Sequence, residues 1–148
     1  LRMVVMPQLS KSICLWVALL VPFLAATGCG RGRPRAPVTG KVMYQGQPLS
    51  FGTVMFQPAE GQPATGPIQP DGTFRMATPG EGDGAAVGQN RVRVMCFEAQ
   101  DPSLDPAQRP EDGLGRALVP EKYLDYDTSG IAIDVQPGAN EPLLLELH

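Results

Sequence analysis

From residue 37 onward, apolar and polar residues alternate along most of the chain with a period of two. Such alternation is typical of β-strands that bury one face, and it differs from the 3.6-residue period of an amphipathic helix. The clearest examples are NRVRVMCF at residues 90–97 and IAIDV at residues 131–135. We therefore predict about seven short strands, joined by turns, and no helix.

The predicted inner faces of these strands carry enough large apolar side chains to form a core. Each such side chain contributes about 1.5–3 kcal/mol when fully buried, and one-sided strands bury their apolar faces by packing two sheets together. Cys96 lies on an inner face, so we expect it to behave as a small, inert hydrophobe. The sixteen predicted core residues are Val38, Val42, Tyr44, Val54, Phe56, Phe74, Met76, Val92, Val94, Cys96, Ile131, Ile133, Val135, Leu143, Leu145 and Leu147.

The amino-terminal part shows a different pattern. Residues 13–26 are apolar without a charge, Arg2 and Lys11 precede them, and small residues follow. Fourteen residues match the apolar region of a signal peptide, whereas a helix that spans a bilayer needs about 18–20. This pattern predicts an export signal over residues 1–28.

The end of that segment, Ala26-Thr27-Gly28-Cys29, resembles the signal of bacterial lipoproteins, although Ala26 stands where that family usually has Leu. The resemblance implies cleavage between Gly28 and Cys29 and lipid attachment to Cys29. Several acyl chains anchor a protein stably, so the domain would be held on the periplasmic side of an envelope membrane, the outer membrane in our prediction. The alternative is ordinary cleavage, which leaves Cys29 as a free thiol or as a disulfide partner of Cys96.

Residues 29–36 contain Gly, Pro and three arginines. This composition predicts a flexible tether between the lipid and a domain over residues 37–148. Arg31, Arg33 and Arg35 would be solvated or would contact anionic lipid headgroups.

The composition excludes several classes of function. The formal net charge of -3 gives no basic surface for nucleic acid. His148 is the only histidine, which removes a Ser-His-Asp or Cys-His arrangement and most metal sites. We therefore expect no catalysis, no metal and no cofactor.

The only long connection, residues 98–130, is rich in acidic residues. Connections of this length are usually functional or disordered. Its carboxylates lack the spacing of a calcium loop, so we expect a solvated acidic loop rather than a Ca²⁺ site. Tyr123 and Tyr126 either form a contact surface for a sugar or a partner, or Tyr123 pins the loop to the sandwich with Leu124. The carboxylates are Glu98, Asp101, Asp105, Glu111, Asp112, Glu121, Asp125 and Asp127.

Two further expectations concern the neighbouring strands. The Gly-rich segment 78–90 lacks the Lys-Ser/Thr and the helix of a phosphate-binding loop, so we predict a flexible connection. Arg91 and Arg93 lie on the predicted outer face, where Asp134 and Glu146 are candidate partners for ion pairs of small energy.

The motif order V-x-G-x-V, G-x-P-L, G-x-V-x-F-x-P, D-G-x-F and R-V-x-V over residues 37–97 resembles the transthyretin-like, carboxypeptidase regulatory-like domains of small exported bacterial proteins. The segment from Val119 to Leu147 is similar to the closing part of the lipoprotein version. The resemblance implies an all-β fold, a seven-stranded prealbumin-like (transthyretin-like, Ig-like) β-sandwich without catalysis of its own. The matching residues are Val38, Gly40, Val42, Gly46, Pro48, Leu49, Gly52, Val54, Phe56, Pro58, Asp71, Gly72, Phe74, Arg91, Val92 and Val94.

Together these patterns predict a monomeric, non-enzymatic, lipid-anchored β-sandwich of the cell envelope. It would act as a structural module or by contact with another envelope protein. The alternative is a carbohydrate-binding module that uses Tyr123 and Tyr126. Either function needs the membrane as a partner and no nucleic acid.

Overall fold

A computed structural model describes residues 33–110 and 113–148. Within these ranges the chain forms twelve strands and three short 3-10 helices. The strands are β1 (Arg35–Ala36), β2 (Thr39–Tyr44), β3 (Gln47–Pro48), β4 (Thr53–Pro58), β5 (Ala64–Pro67), β6 (Thr73–Arg75), β7 (Ala77–Thr78), β8 (Gly82–Asp83), β9 (Ala85–Ala86), β10 (Gly88–Met95), β11 (Ile131–Val135) and β12 (Leu143–Leu147). The 3-10 helices are Glu98–Gln100, Pro106–Gln108 and Glu121–Leu124. Among these described helices, none has the length and apolar character needed to span a membrane.

The larger sheet contains six antiparallel strands in the order β11-β10-β4-β5-β7-β8. At its centre β10 pairs with β4, so that Val92 lies opposite Phe56 and Val94 lies opposite Val54. All four side chains are fully buried. The alternation seen in the sequence therefore corresponds to one inner face of this sheet, because successive side chains of a strand point to opposite sides.

The smaller sheet contains β12, β2 and β3 in that order, with β6 also paired to β2. The β12 strand runs parallel to β2, with Leu145 opposite Val42, whereas β6 runs antiparallel and places Phe74 opposite Gly40. Leu145, Val42 and Phe74 are buried in the same cluster as the inner face of the larger sheet. The protein is thus all-β, and its two main sheets enclose one core as in a β-sandwich.

Twelve of the sixteen predicted core residues are buried. The other four were predicted to be buried, but they are only partly buried and pack against the core: Tyr44, Ile131, Ile133 and Leu143. Three of them belong to β11 and β12, which are edge strands and have a neighbour on one side only.

The domain begins earlier than the predicted boundary at residue 37. Arg35–Ala36 form β1, which pairs with β9, and Ala36 is 1% exposed. The prediction of a flexible tether over residues 29–36 is therefore wrong for its last residues. They form a strand, and Ala36 is buried in alternation with Val38. The predicted export signal over residues 1–28, the cleavage position and Cys29 lie outside the described residues.

The Gly-rich segment 78–90 is not a wholly flexible connection either. It contains β8, β9 and the start of β10. Ala85 and Ala86 are buried, and the carbonyl of Gly84 accepts a hydrogen bond from the buried hydroxyl of Thr78 at 2.9 Å. Small residues fit this segment because the backbone of Gly84 passes close to the backbone of Ala36 in β1.

Candidate functional site: the connection between β10 and β11

The long connection divides into two parts of different construction, which we name the lobe (residues 97–118) and the return segment (residues 119–130). The ends of the lobe are joined by a β-bridge between Phe97 and Ala117. Next to this bridge the Leu118 amide donates to the carbonyl of Cys96 at 2.8 Å. The lobe therefore leaves and rejoins the sandwich at the same point.

Inside the lobe, Glu98 is the main connecting side chain. Its carboxylate accepts a hydrogen bond from the Arg116 backbone amide and pairs with the Arg116 guanidinium, each at 3.1 Å. Gly115 adopts a φ of +70°, and a Cβ there would lie 2.5 Å from the side chain of Pro110. Only glycine fits this close approach of the two sides of the lobe.

Several other carboxylates of the connection form turns rather than a common site. Asp101 accepts hydrogen bonds from the hydroxyl and amide of Ser103, which lower the pKa of Asp101 below its ordinary value. Asp105 accepts from the Ala107 amide in the same way, and Asp125 from the Asp127 amide. Over residues 33–110 and 113–148, no three His, Cys, Asp or Glu side chains are grouped so that they could hold a metal ion. Glu111 and Asp112 lie outside the described residues.

In the return segment, Tyr123 connects the loop to the sandwich. It belongs to the 3-10 helix Glu121–Leu124 and is 5% exposed. Its hydroxyl accepts a hydrogen bond from the His148 amide at 3.0 Å, which lowers the pKa of Tyr123, and donates to the His148 carbonyl at 3.4 Å. Leu124 also packs against the core. Of the two interpretations of Tyr123, this geometry agrees with pinning, and its ring is not open to a ligand.

Tyr126 is half-buried on the outer face of the larger sheet. The Arg93 guanidinium lies 4.6 Å from the centre of its ring and donates to the sulfur of Met55 at 3.3 Å. A cation over an aromatic face contributes about 0.5–1 kcal/mol at exposed sites and more when desolvated. The Arg93 guanidinium therefore covers one face of the Tyr126 ring.

Arg91 forms its ion pair with Asp127. The expected pairing of the outer arginines with Asp134 and Glu146 is wrong. Glu146 lies on β12 in the other sheet, and the Asp134 carboxylate accepts a hydrogen bond from Gln136 instead.

Cys96 is fully buried directly before the lobe. Burial, followed by the nearby carboxylate of Asp101, raises the pKa of its thiol to about 11. Since the thiolate is the reactive form, Cys96 is inert at neutral pH, as the sequence predicted. A disulfide to Cys29 would require that residue to reach into the core.

A cleft of about 480 Å³ opens beside β2 and β6. Thr39, Gln69, Thr73 and Arg75 supply its polar lining, and Phe74 and Pro142 supply apolar surface. Hydroxyl, amide and guanidinium groups can donate hydrogen bonds to a polar ligand. This cleft could not be predicted from local sequence, because its residues come from three distant parts of the chain.

Two arginines of the predicted tether, Arg33 and Arg35, are parts of the fold. Arg33 donates to the backbone carbonyl of Glu60 at 2.7 Å, and Arg35 binds both the carboxylate and the backbone carbonyl of Glu81. These contacts join residues 27 and 46 positions apart, which local composition does not reveal. The signal that could have found them is the alternation of Ala36 with Val38.

No family model matches this chain, and no curated protein or solved structure was found to be similar to it. The resemblance to lipoproteins and to transthyretin-like domains therefore stays a prediction.

Proposed function

We propose that this protein is a non-enzymatic module of the bacterial cell envelope, held at a membrane by acyl chains on Cys29. It acts by contact with another envelope protein or as a structural element. The observation that carries the proposal is the placement of Ala26-Thr27-Gly28-Cys29 after an apolar run and directly before a folded β-domain. A lipid-modified cysteine is useful where a domain must be retained at a surface, because several acyl chains bind a bilayer stably.

The use of the polar side chains supports a non-catalytic role. Asp101, Asp105 and Asp125 accept backbone hydrogen bonds in turns, and Glu98 is paired with Arg116. Cys96 is buried with a raised pKa. These groups stabilise the fold and are not aimed together at a substrate, which is the arrangement that general acid–base or nucleophilic catalysis needs.

The finer fold that we propose is a transthyretin-like, prealbumin-like sandwich. Support comes from the two sheets and from the buried positions of the motif residues, among them Val42, Val54 and Phe74. The additional two-residue strands would then be extensions of a seven-stranded pattern.

Metabolic labelling with palmitate tests the anchoring. The full chain is expressed in a bacterial host and its membrane-extracted form is analysed by intact mass spectrometry. We expect a mature chain that begins at Cys29 and carries acyl chains, and loss of the label in Cys29→Ser. The matched control is Cys96→Ala, which removes the buried thiol and keeps the label. An unlabelled protein, or a label that persists in Cys29→Ser, would overturn the proposal.

A further inference from the structure

Residues 33–37, which we name the strap, lie across one end of the sandwich. The Pro34 carbonyl accepts a hydrogen bond from the Val87 amide at 2.9 Å, and β1 pairs with β9. The Pro37 carbonyl accepts from the side-chain amide of Asn140 at 3.3 Å. Together with the contacts of Arg33 and Arg35 described above, every residue from 33 to 37 is connected to the domain.

The strap is closely packed as well as hydrogen-bonded. Ala36 is 1% exposed, and the Arg35 side chain, paired with Glu81, is 24% exposed. Gly84 has a φ of +97°, and a Cβ there would overlap the carbonyl of Ala36. The backbone of the strap therefore rests directly on the backbone of the segment before β9.

The strapped end and the lobe lie at opposite ends of the sandwich. The strap contacts the β4–β5 turn through Glu60, the β7–β8 turn through Glu81, and the β11–β12 connection through Asn140. From this end, where Gly88 pairs with Val135, β10 runs to Met95 and the lobe begins. Eight residues of strand cover about 23 Å.

Chain length limits how far the domain can turn relative to Cys29. A tether that was free to residue 36 would let the lipid and the domain separate by about 25 Å, at about 3.3–3.6 Å per residue. With Arg33 held by the domain, the Cα atoms of Cys29 and Arg33 are at most about 14 Å apart. Arg33 therefore stays within about 14 Å of Cys29, whereas the lobe begins about 23 Å from the strapped end, so the tether draws the strapped end toward a membrane that holds Cys29.

We propose that the strap sets the orientation of the domain at the membrane. The strapped end, with the β4–β5 and β7–β8 turns, faces the lipid headgroups, and the lobe points away from them. This inference rests on the proposed anchoring through Cys29. Arg33 and Arg35 hold the strap to the domain through the backbone carbonyl of Glu60 and the carboxylate of Glu81.

Two labelled positions measure this orientation in the full, lipidated protein. Gln62 in the β4–β5 turn and Gln108 in the lobe are both exposed. Each is changed to cysteine separately and labelled with a fluorophore, while the buried Cys96 stays unlabelled. The protein is then placed in phosphatidylcholine vesicles that carry a nitroxide quencher on the headgroup. We expect the label at residue 62 to be quenched several-fold more than the label at residue 108.

Loosening the strap is the second arm of the experiment. In Arg33→Gln/Arg35→Gln the quenching at residue 62 should fall part of the way toward the value at residue 108, because the side-chain contacts of the strap are lost while β1 stays paired with β9. Arg75→Gln, an exposed arginine outside the strap, should leave both values unchanged. Flotation of the same vesicles reports the anchoring separately. Protein that does not float contradicts the anchoring and the orientation together, whereas floating protein with equal quenching, or stronger quenching at residue 108, overturns the orientation alone.

Discussion

The lobe and the return segment are consecutive in the chain and are held in different ways. None of the lobe residues that the structure describes is buried, whereas Val119, Tyr123 and Ser129 of the return segment are. The lobe depends on backbone hydrogen bonds, turns and one exposed ion pair. Segments with few buried contacts open locally at low free energy, whereas segments that share the core unfold with the whole domain. The comparison predicts that changes in the return segment alter global stability and changes in the lobe alter local opening.

The largest effect is expected for Tyr123→Ala. Removing a buried aromatic side chain costs about 3–5 kcal/mol in the free energy of unfolding, which denaturant titration measures. The matched control Tyr123→Phe keeps the ring and loses only the hydrogen bonds to His148, at a cost of about 1 kcal/mol. If the two variants were equally stable, the ring would not pin the return segment.

Cys96 directly precedes the lobe, so its titration shows whether water reaches the core where the lobe joins the sandwich. The folded pKa of about 11 lies above the ordinary value of 9.0, so the folded state holds its proton more tightly than the unfolded state. The contribution of the protonated Cys96 thiol to the free energy of unfolding is therefore fully present below pH 9. It is lost as the pH rises through 11, by about 3 kcal/mol in all. Denaturant titrations at several pH values should show this extra loss in the wild type and not in Cys96→Ala. Rapid alkylation of Cys96 in the folded protein at pH 8 would contradict the expected protection.

A smaller and local effect is expected for Gly115→Ala. The left-handed backbone and the close approach to Pro110 make an alanine unfavourable by about 1–3 kcal/mol. Hydrogen exchange at the Ala99 amide, which donates to the Leu114 carbonyl, should accelerate while amides of β10 keep their protection. Gly113→Ala is the matched control, since its φ of +84° is similar but no atom of the described residues lies within 4 Å of the added Cβ. Equal loss of protection in β10 would show that the lobe and the sandwich unfold together.

The smallest effect is expected for Arg116→Gln. The Arg116 side chain is 78% exposed, and exposed ion pairs contribute about 0.2–1 kcal/mol. A double-mutant cycle with Glu98→Gln isolates the pair, and added salt should reduce its coupling energy. A coupling energy as large as the cost of Tyr123→Ala would remove the distinction between the two parts of the loop.

The strands were predictable because their signal is local. A strand alternates its side chains between two faces, so the inner residues of β4 and β10 could be read from a few neighbouring positions. The parallel pairing of β12 with β2 and the order of strands in each sheet could not, since they depend on contacts between distant segments. For the same reason Arg35 was wrongly assigned to the tether, because nothing in the sequence around Glu81 indicates that it pairs with Arg35.

Within the candidate site, the sequence predicted two alternative roles for Tyr123 and could not decide between them. The sequence EKYLDY offers two tyrosines three residues apart, and only the position of His148 and Arg93 shows which side each ring takes. The lipid attachment at Cys29 stays a prediction, because that residue lies outside the described part of the chain.

The parallel pairing of β2 with β12 also determines when the domain can complete its fold. About a hundred residues separate Leu145 from its neighbour Val42, so the smaller sheet is closed by one of the longest loops that the chain could form. Pairings of such long range form late, because the entropy of loop closure must be overcome before any contact compensates for it. During synthesis, Val42 therefore has no neighbour on this side of β2 until residues 143–147 emerge. The smaller sheet can therefore be completed only after almost the whole chain has been made.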